Sequence, residues 1–171
     1  MQKWQRASVV IATATLGIGL AFNTFTRAAN AHGDEDHAGG KHEEAFAAGE
    51  PGDPKKPFRR IELTMSEGSG TMAFTPSTVD VKKGEQIKFV IKNTGALSHE
   101  FMLDSIEHNA KHKIAMEKNP EMVHDDPNGV TLEATKSSEI FWKFSKAGSF
   151  EFACLIPGHY EAGMHGLVVV K

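Results

Sequence analysis

Phe152-Ala153-Cys154-Leu155-Ile156-Pro157-Gly158-His159-Tyr160-Glu161-Ala162-Gly163-Met164-His165-Gly166 contains the only cysteine of the 171-residue chain. A histidine and then a methionine follow it, each after four intervening residues. Thiolate, imidazole and thioether delivered from one short loop form a soft donor set that suits copper better than magnesium, calcium or a typical structural zinc. Three donors on one loop do not fix a cation's geometry, so a fourth must come from elsewhere. His99, in Leu97-Ser98-His99-Glu100-Phe101-Met102-Leu103, is the candidate. One cysteine, two histidines and a distant methionine as a weak axial ligand make up the type 1 copper set.

The residues around the loop read as strands. Ser149 to Cys154 places Phe150, Phe152 and Cys154 on one face, which directs the sulfur inward. Gly166-Leu167-Val168-Val169-Val170 is a closing strand with a near-continuous apolar run. Upstream, Arg59 to Met65 and Gln86 to Lys92 alternate with period two, the second putting Ile87, Phe89 and Ile91 on one side. Thr71 to Phe74, Thr78 to Val81, Val130 to Ala134 and Ser138 to Phe144 are further short strands with turn residues between them, and Trp142 is expected in the core. Many short strands at close spacing predict an all-β antiparallel sandwich.

Cys154, His159 and Met164 with His99 upstream resemble the ligand pattern of the cupredoxin family (plastocyanin, azurin, pseudoazurin), and Phe74-Thr75-Pro76-Ser77-Thr78-Val79-Asp80-Val81-Lys82-Lys83-Gly84-Glu85 is similar to the first half of that fold. The resemblance covers roughly residues 59–171. It implies a cupredoxin-like Greek-key β-sandwich with one type 1 copper held by His99, Cys154, His159 and Met164. It also implies that His159 lies near the surface as the exit for electrons, within an apolar patch to which Leu155, Ile156 and Tyr160 contribute and to which Glu161 adds negative character. His165 competes with Met164. Adjacent residues on an extended segment point in opposite directions, and the resemblance favours Met164. Glu100 departs from the family, which often carries Asn after the first ligand.

A second departure is the His/Met-rich insertion of residues 104–129. Ser105 to Lys118 reads as a short helix before the Cys-bearing strand, capped by Ser105 and stopped by Asn119-Pro120, with Ile106, Asn109 and Ala110 on one face. A polar loop through Gly129 is expected to follow. His108 and His112, four apart, would share a helix face, with Met116 continuing it and Met122 and His124 nearby. Either they hold additional, weakly bound copper, or the helix is exposed with its methionine packed on the sandwich.

Residues 1–31 read as a secretory signal. Lys3 and Arg6 precede an apolar stretch from Ala7 to Phe25, and Ala29-Asn30-Ala31 is a cleavage site, so the mature chain is expected to begin at His32 in the periplasm, without stable membrane insertion. Residues 32–58 read as a disordered acidic arm in which His32, His37 and His42 recur every five residues, a spacing that fits a flexible chelating tract. The full chain has a net charge of -3. Without the signal's Lys3, Arg6 and Arg27 it carries 16 basic and 22 acidic residues, a net -6 that argues against nucleic-acid binding. A lone thiol in an oxidising compartment needs protection, which a bound metal supplies. One cysteine also excludes a binuclear copper centre with two bridging cysteines. The expected function is electron transfer, copper tolerance or both, with a redox or copper-handling protein as partner; storage or chaperoning by the His/Met-rich segments is the alternative. A Cys-His nucleophilic enzyme is disfavoured, because no acid is placed to orient the base and Met164 would have no role. A multicopper oxidase would need His-x-His or His-Cys-His clusters that the chain lacks. No enzymatic activity is expected.

Overall fold

A computed structural model describes residues 46–171. The signal segment and His32, His37 and His42 lie outside the described residues. Two sheets face each other. One has the order β1 (Glu50–Pro51), β9 (Ser137–Lys143), β5 (Gln86–Asn93), β2 (Arg59–Glu67), β3 (Met72–Thr75). The other runs β4 (Thr78–Val81), β11 (His165–Val170), β10 (Gly148–Ala153), β6 (His99–Asp104), β8 (Gly129–Leu132), β7 (Asp125–Asp126). The period-two pattern buries Leu63 and Met65 of β2, Ile87, Phe89 and Ile91 of β5, Ile140 and Trp142 of β9, and Phe150 and Phe152 of β10. An aromatic cluster joins the layers. Phe101 stacks on Phe152 with ring centres 5.8 Å apart, and Phe74 meets Phe152 edge-on at 5.1 Å.

The sandwich is not purely antiparallel. β2 pairs parallel with β5, and β4 parallel with β11. The chain changes layer after β3, β4, β5, β8 and β9, so strands that end side by side need not be hairpin partners. β11 lies between β4 and β10, which accounts for its apolar composition.

Order begins before the expected boundary at Arg59. Phe46 sets its ring edge-on against Trp142 at 5.1 Å, Ala48 is fully buried, and Glu50 and Pro51 pair with Lys143 and Trp142. The Gln86 side chain accepts from the Asp53 N–H and donates to the Asp53 carbonyl, both at 2.8 Å. The proline- and charge-rich composition of this stretch hides the few residues that dock it on the edge of β9. Phe46 is only partly buried, so Phe46→Ala is expected to cost about 1–2 kcal/mol, at or below the low end for a fully buried aromatic side chain, read as a lower urea midpoint at unchanged slope.

The insertion folds as expected in its first half. Helix α1 (Ile106–Lys118) is capped by Ser105, whose Oγ accepts from the His108 N–H at 3.1 Å. Of the three residues expected to share a face, Asn109 alone is buried, donating from Nδ2 to Glu151 Oε2 at 3.1 Å, while Ile106 and Ala110 are exposed. Met116 anchors the helix in a second small core with Met102, Ala153 and Leu155, on the outer side of the six-stranded sheet. Beyond the helix, the expected loop contains β7, which pairs with β8 through Asp125–Val130 and Asp126–Gly129. No helix among the described residues is long and apolar enough to cross a membrane.

Candidate metal centre

β6 and β10 run antiparallel, with Ala153 opposite Met102, so the end of β10 lies beside the start of β6. This brings His99 to the Cys154 loop. His99 Nδ1 lies 3.2 Å from His159 Nδ1, which in turn lies 3.3 Å from Cys154 Sγ. All three donor atoms fall within 4.8 Å of one another. The loop is closed by its own backbone. Cys154 N–H donates to the Met164 carbonyl at 3.0 Å, and Met164 N–H to the His159 carbonyl at 3.1 Å. Between them Gly158 turns the chain at φ +87°, a conformation that favours glycine. Met72 N–H, at the start of β3, ties the loop to the other sheet through the Ala162 carbonyl at 2.9 Å.

Met164 is fully buried beside this loop, whereas His165 is exposed and stacks on Tyr160 with ring centres 4.6 Å apart. The alternation of neighbours thus leaves Met164, not His165, on the interior side. His99 and Cys154 are also fully buried, and His159 alone of the four is partly exposed. Two imidazole nitrogens facing a sulfur, with a buried methionine alongside, fit copper by donor chemistry.

Glu67 supplies what the sequence did not reveal. Its Oε1 lies 2.7 Å from His99 Nε2, while its two oxygens accept from Ala96 N–H at 2.9 Å and Leu97 N–H at 3.0 Å. These backbone donors, more than His99, hold its carboxyl below the ordinary range. A charged carboxylate there keeps the His99 proton on Nε2 and leaves the Nδ1 lone pair facing Cys154. Gly95 is required for this approach, since a Cβ at that position would lie 2.1 Å from Glu67 Oε1. Asn93 secures the same turn, donating from Nδ2 to the Leu97 carbonyl at 2.7 Å and accepting the Gly95 N–H at Oδ1. Glu67 was hidden by its position 32 residues before His99, at the end of an alternating strand expected to stop at Met65.

Glu100, the departure from the family pattern, braces the centre in its own way. Its N–H donates to Cys154 Sγ at 3.3 Å, and its Oε2 accepts from Leu155 N–H at 3.0 Å. Burial pushes the Cys154 thiol up to about 12, outweighing the Glu100 N–H that pulls it down. Burial, then the nearby His99, lowers the His159 imidazole.

The surface around His159 differs from the expected patch. Leu155 is fully buried in the second core, Tyr160 donates to Glu151 Oε1 at 2.9 Å, and Glu161 is ion-paired with Lys113 of α1. The exposed apolar residue on the approach to His99 is Leu97. The candidates of the insertion separate. His112 Nε2 meets His124 Nε2 at 3.0 Å, whereas His108 Nδ1 turns to Asp104 Oδ1 at 3.1 Å and Met116 is enclosed in the second core. Met122 packs against the edge of that core.

Glu67→Gln is expected to lower copper affinity by about 10–100-fold, the usual cost of losing the carboxylate behind a ligating histidine. Competition with a chelator of known affinity measures it, and far-UV circular dichroism should be unchanged.

Comparison with known proteins points to copper as well. The chain is 43% identical over 164 residues to the copper-resistant cuproprotein CopI of Rubrivivax gelatinosus, covering 95% of this chain and 98% of that one. It is 34% identical to the protein of the same name from Pseudomonas aeruginosa, over 90% of this chain and 92% of that one. Among solved structures, auracyanin B superposes with a TM-score of 0.58 at 19% identity, over 74% of this chain and 99% of that one, a likeness of fold. The family described as copper binding proteins, plastocyanin/azurin family, matches residues 61–171, and the chain belongs to that family.

Proposed function

We propose that this protein is a periplasmic copper-tolerance protein working through one type 1 copper centre, which His99, Cys154, His159 and Met164 would hold. The observation that carries this reading is the meeting of three donors: His159 Nδ1 lies 3.2 Å from His99 Nδ1 and 3.3 Å from Cys154 Sγ, and all three atoms fall within 4.8 Å of one another. Copper bound there would carry one electron by cycling between its two common oxidation states. The chain's part is to hold the donors still. Glu67 orients His99, the Glu100 N–H is aimed at the sulfur, and the Cys154–Met164 backbone bond closes the loop, so little rearrangement accompanies electron transfer. His159, the partly exposed ligand, is the exit for electrons toward a redox or copper-handling partner.

The role in tolerance is supported by the names of the two CopI relatives, which align over nearly their whole lengths. The nucleophilic-enzyme alternative is opposed by the fully buried Cys154, whose thiol lies far above the range of reactive cysteines. Titrating the metal-free mature protein with copper(II) tests the reading. An intense visible absorption that saturates at one equivalent is expected, and uptake without such a band would contradict it.

A further inference from the structure

We propose that Glu100, His112 and His124 form a second metal site, separate from the Cys154 centre, that binds copper(II). Three elements supply it: β6, α1 and the segment before β7. Glu100 is fully buried, and with Oε2 held by Leu155 N–H its Oε1 has no hydrogen-bond partner. That oxygen lies 3.2 Å from His124 Nε2, which lies 3.0 Å from His112 Nε2, and all three atoms fall within 4.8 Å of one another.

The surroundings are those of a ligand set. His124 Nδ1 faces Asp126 Oδ2 at 2.8 Å, the carboxylate-histidine arrangement that places the ring proton on Nδ1 and leaves Nε2 free to coordinate. His124 is held in place by its backbone N–H, which donates to Thr131 Oγ1 at 2.9 Å. A hydrogen-bonded histidine pair alone would leave the buried Glu100 oxygen without a donor, whereas a cation satisfies both imidazoles and the carboxylate together. Two imidazoles and one carboxylate suit a divalent first-row transition ion, and copper(II) binds such donors most tightly in that series. The path from solvent is a cleft of about 480 Å³ beside α1, lined among others by Asp104, His108, His112 and Asp126.

The site does not depend on the reading of the Cys154 centre, and the test keeps the two apart. His32, His37 and His42 are replaced by alanine in the chain to remove the arm's donors, and bound copper(II) is counted after titration and desalting. This parent is expected to hold two equivalents, one giving the visible band and one giving an electron paramagnetic resonance signal with nitrogen couplings but little colour. Adding His112→Ala and His124→Ala should remove one equivalent and leave the visible band, which also reports that the variant is folded. Asp126→Asn should weaken the second equivalent by about 10–100-fold. Equal copper content in the parent and the double-histidine variant would overturn the proposal, whether or not the visible band forms.

Discussion

Cys154→Ser should abolish the intense visible absorption of the copper-loaded protein. It should also lower affinity for the first copper by more than the roughly 10–100-fold that outer partners contribute. The sulfur is the one soft anionic donor of the set, and a serine hydroxyl in the same buried position neither ionises readily nor bonds covalently to copper. The proton balance gives an independent readout. The Cys154 thiol is pushed up to about 12, so the metal-free protein holds that proton throughout the neutral range. Loading copper requires the thiol to give it up. Uptake at pH 7 should therefore release about one proton from this group, and affinity should rise about tenfold per pH unit between pH 6 and 8. Calorimetry in buffers of different ionisation enthalpy measures the release. The serine variant should lack this contribution, and equal proton release from both proteins would assign the proton to another group.

Phe101→Ala should be the most damaging change to the scaffold, costing about 3–5 kcal/mol. Its ring stacks on Phe152, meets Phe74 edge-on at 6.2 Å and lies 5.6 Å from Phe89, so it touches both layers of the core. It also follows His99 by two residues on β6, and it is fully buried. The cavity left behind would lie beneath the metal centre. A fall in the urea midpoint of the metal-free protein is the expected result. Copper should restore part of the loss, because binding to the folded state alone adds stability. A midpoint within experimental error of the parent would mean that the aromatic cluster is not the core of this sandwich.

The candidate centre was legible in the sequence where its residues lie close together. Cys154, His159 and Met164 share one loop, and the parity of Phe150, Phe152 and Cys154 was enough to turn the sulfur inward. His99 could be placed because it heads an apolar strand. What the chain brings from a distance left no local mark. Glu67 and Asn93 act on the turn before His99 through hydrogen bonds, and a glutamate ending an alternating strand looks like any solvated charge. The same holds for Glu100, which the sequence presented only as a departure from asparagine, and whose Oε2 accepts from Leu155 N–H while Oε1 is left without a hydrogen-bond partner. Composition misled at two places. The polar stretch before Arg59 conceals Phe46 and Ala48, and the weakly amphipathic helix turns Asn109 rather than Ile106 toward the sheet, since Glu151 waits there with a buried carboxylate. Layer crossings of the chain, which create the parallel pairs, cannot be read from alternation at all.

The central claim is that two imidazoles and one thiolate from these positions meet on a single copper ion. X-ray absorption at the copper edge tests it most directly, on protein loaded with less than one equivalent so that only the tighter site fills. One short sulfur contact with two nitrogen neighbours is predicted, the sulfur contact disappearing in Cys154→Ser. A shell of nitrogen and oxygen alone in the parent protein would contradict the account.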